Sequence, residues 1–175
     1  MIAAVVLAAG AATRFGSPKQ RVLLPRVLER VRASSVEEVL VVLGAYEVET
    51  DARTVRCADW QRGPGASLRC GLSALPDTVE AAVVVLADGP DLAPAAIDRV
   101  TAAWRREGSD IVAATYGGIR GHPVLLARAA WPAIPDEGAR TLAARLIACD
   151  DLGAPGDVDV PGDLPSAETP RLRRG

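Results

Sequence analysis

Residues Leu7 to Lys19 read Leu-Ala-Ala-Gly-Ala-Ala-Thr-Arg-Phe-Gly-Ser-Pro-Lys and directly follow an apolar run. Lys19 is the one lysine among the 20 basic residues of the chain, every other being arginine. Small residues let backbone N–H groups come close to phosphate oxygens, while Arg14 supplies a bidentate fork and Lys19 a compact point charge. The chemistry such a stretch can do is polyphosphate binding. The alternative is an ordinary glycine-containing loop between strand and helix, with solvated charges. The solitary lysine favours the phosphate, because a composition that uses arginine everywhere else retains an ammonium here. The stretch is not a Walker A loop, since no Gly-Lys-Ser/Thr ending is present, and it lacks the Gly-x-Gly-x-x-Gly of a dinucleotide fingerprint.

Carboxylates come second. Asp88, in Val-Leu-Ala-Asp-Gly-Pro-Asp-Leu (85–92), stands where an apolar run meets a turn. Ligands of open α/β sheets bind outside the carboxyl ends of the strands, so Asp88 has the address of a Mg²⁺ ligand. It could equally cap the turn through its own backbone, a task that suits Asp91 better. In Gly-Asp-Val-Asp-Val-Pro-Gly-Asp-Leu-Pro (156–165), Asp157 and Asp159 would share one face of a short strand and could add a second carboxylate, or the segment is an acidic surface loop. A Gly-Pro-Gly turn leads into a helix expected to begin near Ala66, whose N-terminus and Ser67 hydroxyl could hold a base or ribose, or simply be a capped helix. His122, the sole histidine, lies between Gly121 and Pro123 at the start of a strand, with no triad partner near it in sequence.

These groups need a scaffold that brings strand ends together. Short, β-branched apolar runs occur at 3–8, 37–44, 81–88 and 110–116. Being continuous rather than alternating, they read as strands covered on both faces. Helical spacing lies between them: Leu68, Leu72 and Leu75; Ile97, Val100 and Trp104; and Leu142 with Leu146. Residues from Gln20 onward run directly into a helix, and Pro94 suits a first helical turn. The glycine-rich turn at 117–118 implies a hairpin into 119–127. The expectation is an α/β fold of three layers with a mostly parallel, mixed sheet. Residues 1–164 form one domain in this reading, and 165–175 a frayed tail.

Composition sets the outer limits. A chain of 175 residues buries roughly 70% of its unfolded surface as a single domain. Hydrophobic residues make up 49% and aromatic ones only 3%, so the core must be aliphatic. A formal charge of −2 gives no general case for nucleic acid or an anionic membrane as partner. Cys57, Cys70 and Cys149 share no metal-ligand spacing and read as buried or half-buried thiols in a reducing compartment. The apolar start is too short to span a membrane and has no basic n-region, so the expected location is the cytoplasm.

In this order, Leu-Ala-Ala-Gly, Arg14-x-Gly16-x-Pro18-Lys19, Gly-Ala-Ser-Leu-Arg-Cys-Gly-Leu, Leu-Ala-Asp-Gly-Pro-Asp-Leu, Gly-His-Pro-Val-Leu-Leu, Asp-Glu-Gly-Ala-Arg and Asp-Val-Asp-Val-Pro-Gly-Asp-Leu resemble the MobA-like nucleotidyltransferases over nearly the whole chain. Within that family the resemblance is to the molybdenum cofactor cytidylyltransferase branch, the Leu-Ala-Ala-Gly being typical of cytidine users. The resemblance implies a Rossmann-like fold and Mg²⁺-dependent transfer of a nucleoside monophosphate, CMP by preference, from CTP to a phosphorylated acceptor. Arg14, Lys19 and Asp88 would be catalytic. Leu7, Ala8, Ala9, Gly10, Gly65 and Ser67 would also contact the nucleotide, Asp88 and Asp159 would hold Mg²⁺, and His122 and Arg140 would meet the acceptor. The product would pass to a molybdoenzyme or its maturation factor. A different phosphorylated acceptor (phospholactate, phosphoenolpyruvate, a sugar phosphate) or a non-catalytic nucleotide-binding module are the alternatives. Four departures from the family pattern stand out: Gln20 onward replaces a Pro-Leu-Gly-Gly segment, Cys57-Ala58-Asp59 replaces an Asn-Pro, Val160-Pro161 replaces a Thr-Pro, and Gly89 follows Asp88 where the family often carries a larger side chain.

Overall fold

A computed structural model describes residues 1–10 and 20–156. The described residues form one seven-stranded sheet, with the β-branched apolar runs supplying β1, β2, β4 and β5: β1 (Ile2–Ala8), β2 (Glu38–Leu43), β3 (Arg53–Arg56), β4 (Ala81–Leu86), β5 (Ile111–Tyr116), β6 (Ile119–Ala127) and β7 (Arg145–Ala148). The spatial order is β3-β2-β1-β4-β6-β5-β7. Among the described strands only β6 runs antiparallel to its neighbours, β4 and β5, as the Gly117–Gly118 hairpin requires; both glycines have positive φ, 58° and 76°. The sheet is thus mixed and mostly parallel, as the sequence suggests.

The strands carry apolar side chains on both faces because helices cover both. Helices α1 (Gln20–Arg32) and α3 (Pro94–Glu107) lie on one face. Leu24, Val27, Leu28 and Val31 of α1 and Ile97 and Val100 of α3 pack there against Ile2, Ala4 and Val6 of β1 and Val83 and Val85 of β4. On the other face Leu68 and Leu72 of α2 (Pro64–Ser73), with Leu75 just beyond its end, meet Ala3, Val5, Ala82 and Val84. Successive residues of β1 and β4 thus feed two separate cores, which gives three layers. Pro64 and Pro94 occupy first-turn positions of their helices, and Gly108, in the left-handed conformation, closes α3.

Two elements differ from the sequence reading. Leu142 and Leu146 do not share a helix: a short 3₁₀ turn spans Ala139–Thr141, Leu142 is extended, and Arg145–Ala148 pairs in parallel with β5. The reason is that β5 has an open edge, and residues 145–148 satisfy its backbone groups; the i, i+4 leucines arise by coincidence. Strand β3, Arg-Thr-Val-Arg, was not expected at all, because an exposed edge strand needs no apolar run. Cys57 and Cys149 are buried and Cys70 half-buried, all as free thiols. Among the described residues, no helix is long and apolar enough to cross a membrane. The expected domain boundary at 164/165 lies outside the described residues.

Candidate active site

The chain leaves β1 toward β2 on one side and leaves β4 toward β5 on the other, yet β1 and β4 are neighbours. Connections diverging from adjacent parallel strands open a crevice at the strands' carboxyl ends. Leu7 and Leu86 face each other there in register, and the Ala87 N–H donates to the Leu7 carbonyl at 3.1 Å. Asp88 follows at once, half-buried, and Gly10 is exposed at the end of the β1 segment. The structure therefore brings the 7–10 segment and Asp88 to one place. Gly44 makes this possible: a Cβ on it would stand 2.5 Å from the Ala9 carbonyl oxygen and 2.8 Å from Trp60 Cβ. Its neighbour's amide, Ala45 N–H, anchors the Ala9 carbonyl at 3.1 Å. The Leu7 and Ala9 carbonyls are thus already engaged in holding the crevice in shape.

Asp91 does not cap the turn; its carboxylate accepts from Arg26 at 2.9 Å, and its N–H donates to the Pro155 carbonyl at 2.9 Å. A Cβ on Gly89 would lie 3.0 Å from Pro155 Cβ, so the bare backbone after Asp88 accommodates the chain as it reaches Gly156. Chain segment 155–156 therefore lies against the loop that carries Asp88. Asp159, named with Asp88 as a metal ligand, lies outside the described residues, as do Arg14, Lys19 and Asp157. Among the described residues no group of three His, Cys, Asp or Glu could hold a metal ion. Mg²⁺ in phosphoryl sites is bound by one or two carboxylates together with substrate phosphates and waters. Asp88, a hard oxygen donor at the crevice mouth, fits such a site.

Two clefts flank the crevice. One of about 460 Å³ is largely apolar, between Leu86, Tyr116, Ile119, His122 and Pro155. The other, about 340 Å³, lies between Leu7, Leu68, Val84, Glu137 and Arg140. Leu86, Arg120, Gly121 and His122 line both. His122 has its pKa pushed down to about 4, chiefly by burial, with the Asp88 charge pulling the other way and Arg120 adding to the depression. It is therefore a neutral imidazole at neutral pH, close enough to Asp88 to feel its charge. Tyr116 donates to the His122 carbonyl at 3.0 Å, and burial raises its hydroxyl pKa to about 12. Arg140 is exposed at the rim of the smaller cleft.

Gly65 serves packing more visibly than ligand contact. Residues 134–138 cross the N-terminus of α2 so closely that a Cβ on Gly65 would overlap the Pro135 carbonyl, standing 2.8 Å from its carbon. The Gly65 N–H donates to the Asp136 carbonyl at 2.9 Å, and Arg69 and Arg62 bind the Asp136 carboxylate. Those two guanidiniums hold that carboxyl below the usual carboxylate range. Ser67, expected to reach a ligand, is only 4% exposed. Sequence reasoning passed over Arg120 and Asp136. The only signal for either was position, Arg120 directly before Gly-His-Pro and Asp136 at the head of Asp-Glu-Gly-Ala-Arg.

Known proteins share this sequence pattern and fold. The model of the MobA-like NTP transferase domain matches residues 4–151. A probable molybdenum cofactor guanylyltransferase of Chloroflexus aggregans is 32% identical over 126 residues, 66% of this chain and 59% of that protein. The bifunctional protein GlmU of Sorangium cellulosum is 31% identical over 132 residues, 64% of this chain but 28% of its own length. The matched part thus spans less than two thirds of each of these curated relatives. Among solved structures, Rv0371c from Mycobacterium tuberculosis H37Rv superposes with a TM-score of 0.77 at 27% identity, covering 93% of this chain and 94% of the other. The same protein in complex with manganese gives 0.71 at 26% identity, covering 93% and 95%.

Proposed function

Because the chain belongs to the MobA-like NTP transferase family, we propose that it transfers CMP from CTP to a phosphorylated acceptor, molybdenum cofactor by preference, and releases pyrophosphate. The observation that carries this reading is the switch-point crevice, where Asp88 stands beside the 7–10 segment with the Ala87 N–H on the Leu7 carbonyl at 3.1 Å. An acidic ligand next to a small-residue loop suits a nucleoside triphosphate and a divalent cation.

In the reaction an acceptor phosphate oxygen attacks the α-phosphorus of CTP. One O–P bond forms, and the bond from the α-phosphorus to the bridging oxygen breaks, so pyrophosphate leaves with the electron pair. A phosphate monoester has a second pKa near ~6 and is already a dianion at neutral pH. No general base is needed, which agrees with a single histidine held neutral. Catalysis is then alignment and charge neutralisation. Arg14 and Lys19 bind the outer phosphates, and Lys19 offsets the charge that builds on the leaving pyrophosphate. Leu7 and the small residues Ala8 to Gly10, with Gly65 and Ser67 of α2, shape the nucleotide side. His122 and Arg140 face the acceptor. Asp88 and Asp159 would hold Mg²⁺, which when bound supplies charge neutralisation between the reacting phosphates.

The test is pyrophosphate release with Mg²⁺ and CTP, GTP, ATP or UTP, with and without molybdopterin. Release with CTP only when the pterin is present is the expected result. Release with a different phosphorylated compound would keep the reaction and replace the acceptor. Tight nucleotide binding with no turnover on any acceptor would make the chain a nucleotide-binding module instead.

A further inference from the structure

Segment 134–142 runs as a strap along the smaller cleft and is fastened at two points. Its first half is tied to α2 and to the Trp60–Arg62 turn before it through the Asp136 carbonyl and carboxylate. The second half is held by one side chain of the sheet. From β6, the Arg120 guanidinium donates to the carbonyl oxygens of Leu142 at 2.6 Å, Ala139 at 3.1 Å and Arg140 at 3.3 Å. These are the carbonyls around a single 3₁₀ turn, Ala139–Thr141, and a cation at that end of a helical turn is favourably placed. A planar fork with five N–H donors serves the three converging carbonyls from two nitrogens held in fixed geometry, whereas a lysine would have to reach all three from a single nitrogen.

Arg140 sits within that turn. It is exposed, it lines the cleft, and among the described residues its guanidinium has no ion pair or hydrogen-bonding partner. Arg62, Arg69, Arg99 and Arg128, by contrast, each bind a carboxylate. Glu137, the acidic residue of the cleft lining, makes no ion pair with it. A cation without a protein partner, mounted on a turn held by three hydrogen bonds, is arranged to meet an anion from solution.

We infer that Arg120 is a positioning residue: by gripping the 139–142 turn it fixes Arg140 where that side chain binds the anionic group of the acceptor. The inference rests on the acceptor role proposed above for Arg140. Arg120 touches no substrate atom in this scheme; its whole effect passes through the turn.

The experiment compares wild type, Arg120→Ala, Arg120→Lys, Arg140→Ala and the double variant Arg120→Ala/Arg140→Ala. KM for molybdopterin is measured at saturating CTP, and hydrogen exchange is followed at the amides of 139–142. Loss of one charge-assisted contact predicts a KM about 10-fold higher or more in Arg140→Ala. Arg120→Ala should raise KM comparably with kcat within about threefold, and the double variant should be no worse than Arg140→Ala alone. Faster exchange at 139–142 is expected in Arg120→Ala, with Arg120→Lys recovering part of both effects. Penalties that multiply in the double variant, an unchanged KM, or unchanged exchange would overturn the inference. Should Arg120→Ala fail to fold, Arg120→Lys carries the same comparison in both Arg140 backgrounds. If wild type releases no pyrophosphate with any acceptor, the functional reading has failed. Titration of inorganic phosphate into the same proteins then decides the inference, which non-additive weakening upholds and additive or absent weakening overturns.

Discussion

Gly65→Ala should be among the most damaging small substitutions in the described chain. A methyl group at this position would overlap the Pro135 carbonyl and stand 2.8 Å from its carbon and 3.0 Å from the Asp136 carbonyl carbon. Both neighbours are backbone, so no side-chain rotation relieves the overlap. The strap must move by more than about one ångström to clear the carbonyl oxygen, and it is pinned by the Gly65 N–H to Asp136 bond of 2.9 Å and by Arg69 on the Ile134 carbonyl at 2.7 Å. Overpacking of this kind costs about 1–3 kcal/mol, and weakening the Gly65 hydrogen bond adds about 1 kcal/mol. A loss of about 3 kcal/mol lowers Tm by roughly 6–12 °C in a domain of this size. Gly108→Ala is the control. It has a φ of 68° but open space around it, so only the left-handed conformation is penalised, at about 1 kcal/mol. Thermal unfolding ranks the two variants, and hydrogen exchange at residues 134–138 reports whether the strap has lifted. A Gly65→Ala protein no less stable than Gly108→Ala, with exchange at 134–138 unchanged, would refute the packing argument.

Lys19→Ala and Asp88→Ala should each lower kcat by about 100-fold or more in the pyrophosphate-release assay, as removal of one electrostatic donor does; wild-type rates in either would remove that residue from the chemistry. Thr101 is 1% exposed, and among the described residues its hydroxyl oxygen has no hydrogen-bond partner. Thr101→Val should therefore stabilise the protein by about 1 kcal/mol, read as a Tm rise of roughly 2–4 °C; a fall in Tm would reveal a hidden partner. His122 is neutral in the fold with a pKa near 4, against 6.5 as the ordinary value. Since the unfolded chain takes up that proton first, its contribution is fully present above pH 6.5 and is lost as pH falls toward 4. The loss amounts to about 3 kcal/mol relative to His122→Gln. Urea titrations from pH 7 to pH 4 test this, and parallel stability curves for the two proteins would contradict it.

Much of the scaffold was legible from short-range information. The β-branched runs at 3–8, 81–88 and 110–116 are strands because both faces are buried, and continuous apolar character is the mark of that environment. Asp88 could be placed at a strand's carboxyl end for the same reason: the run stops and a turn begins. Where the signal depended on a neighbour, it misled. Arg145–Ala148 carries a helical leucine spacing but becomes a strand, since the open edge of β5 offers backbone partners that no local pattern announces.

The candidate site divides along the same line. Residue types and their order along the chain marked Arg14, Lys19, Asp88 and the 7–10 segment, because phosphate and Mg²⁺ chemistry requires cations, small residues and carboxylates whatever the fold. Only tertiary structure decided that Leu7 and Leu86 stand in register, that Gly65 is needed beneath residues 134–138, and that Arg120 binds a turn about twenty residues away. Those facts depend on which strands become neighbours and on which backbone crosses which helix. Sheet order and close backbone approach are set by the packing of the whole core, and no stretch of sequence contains them by itself.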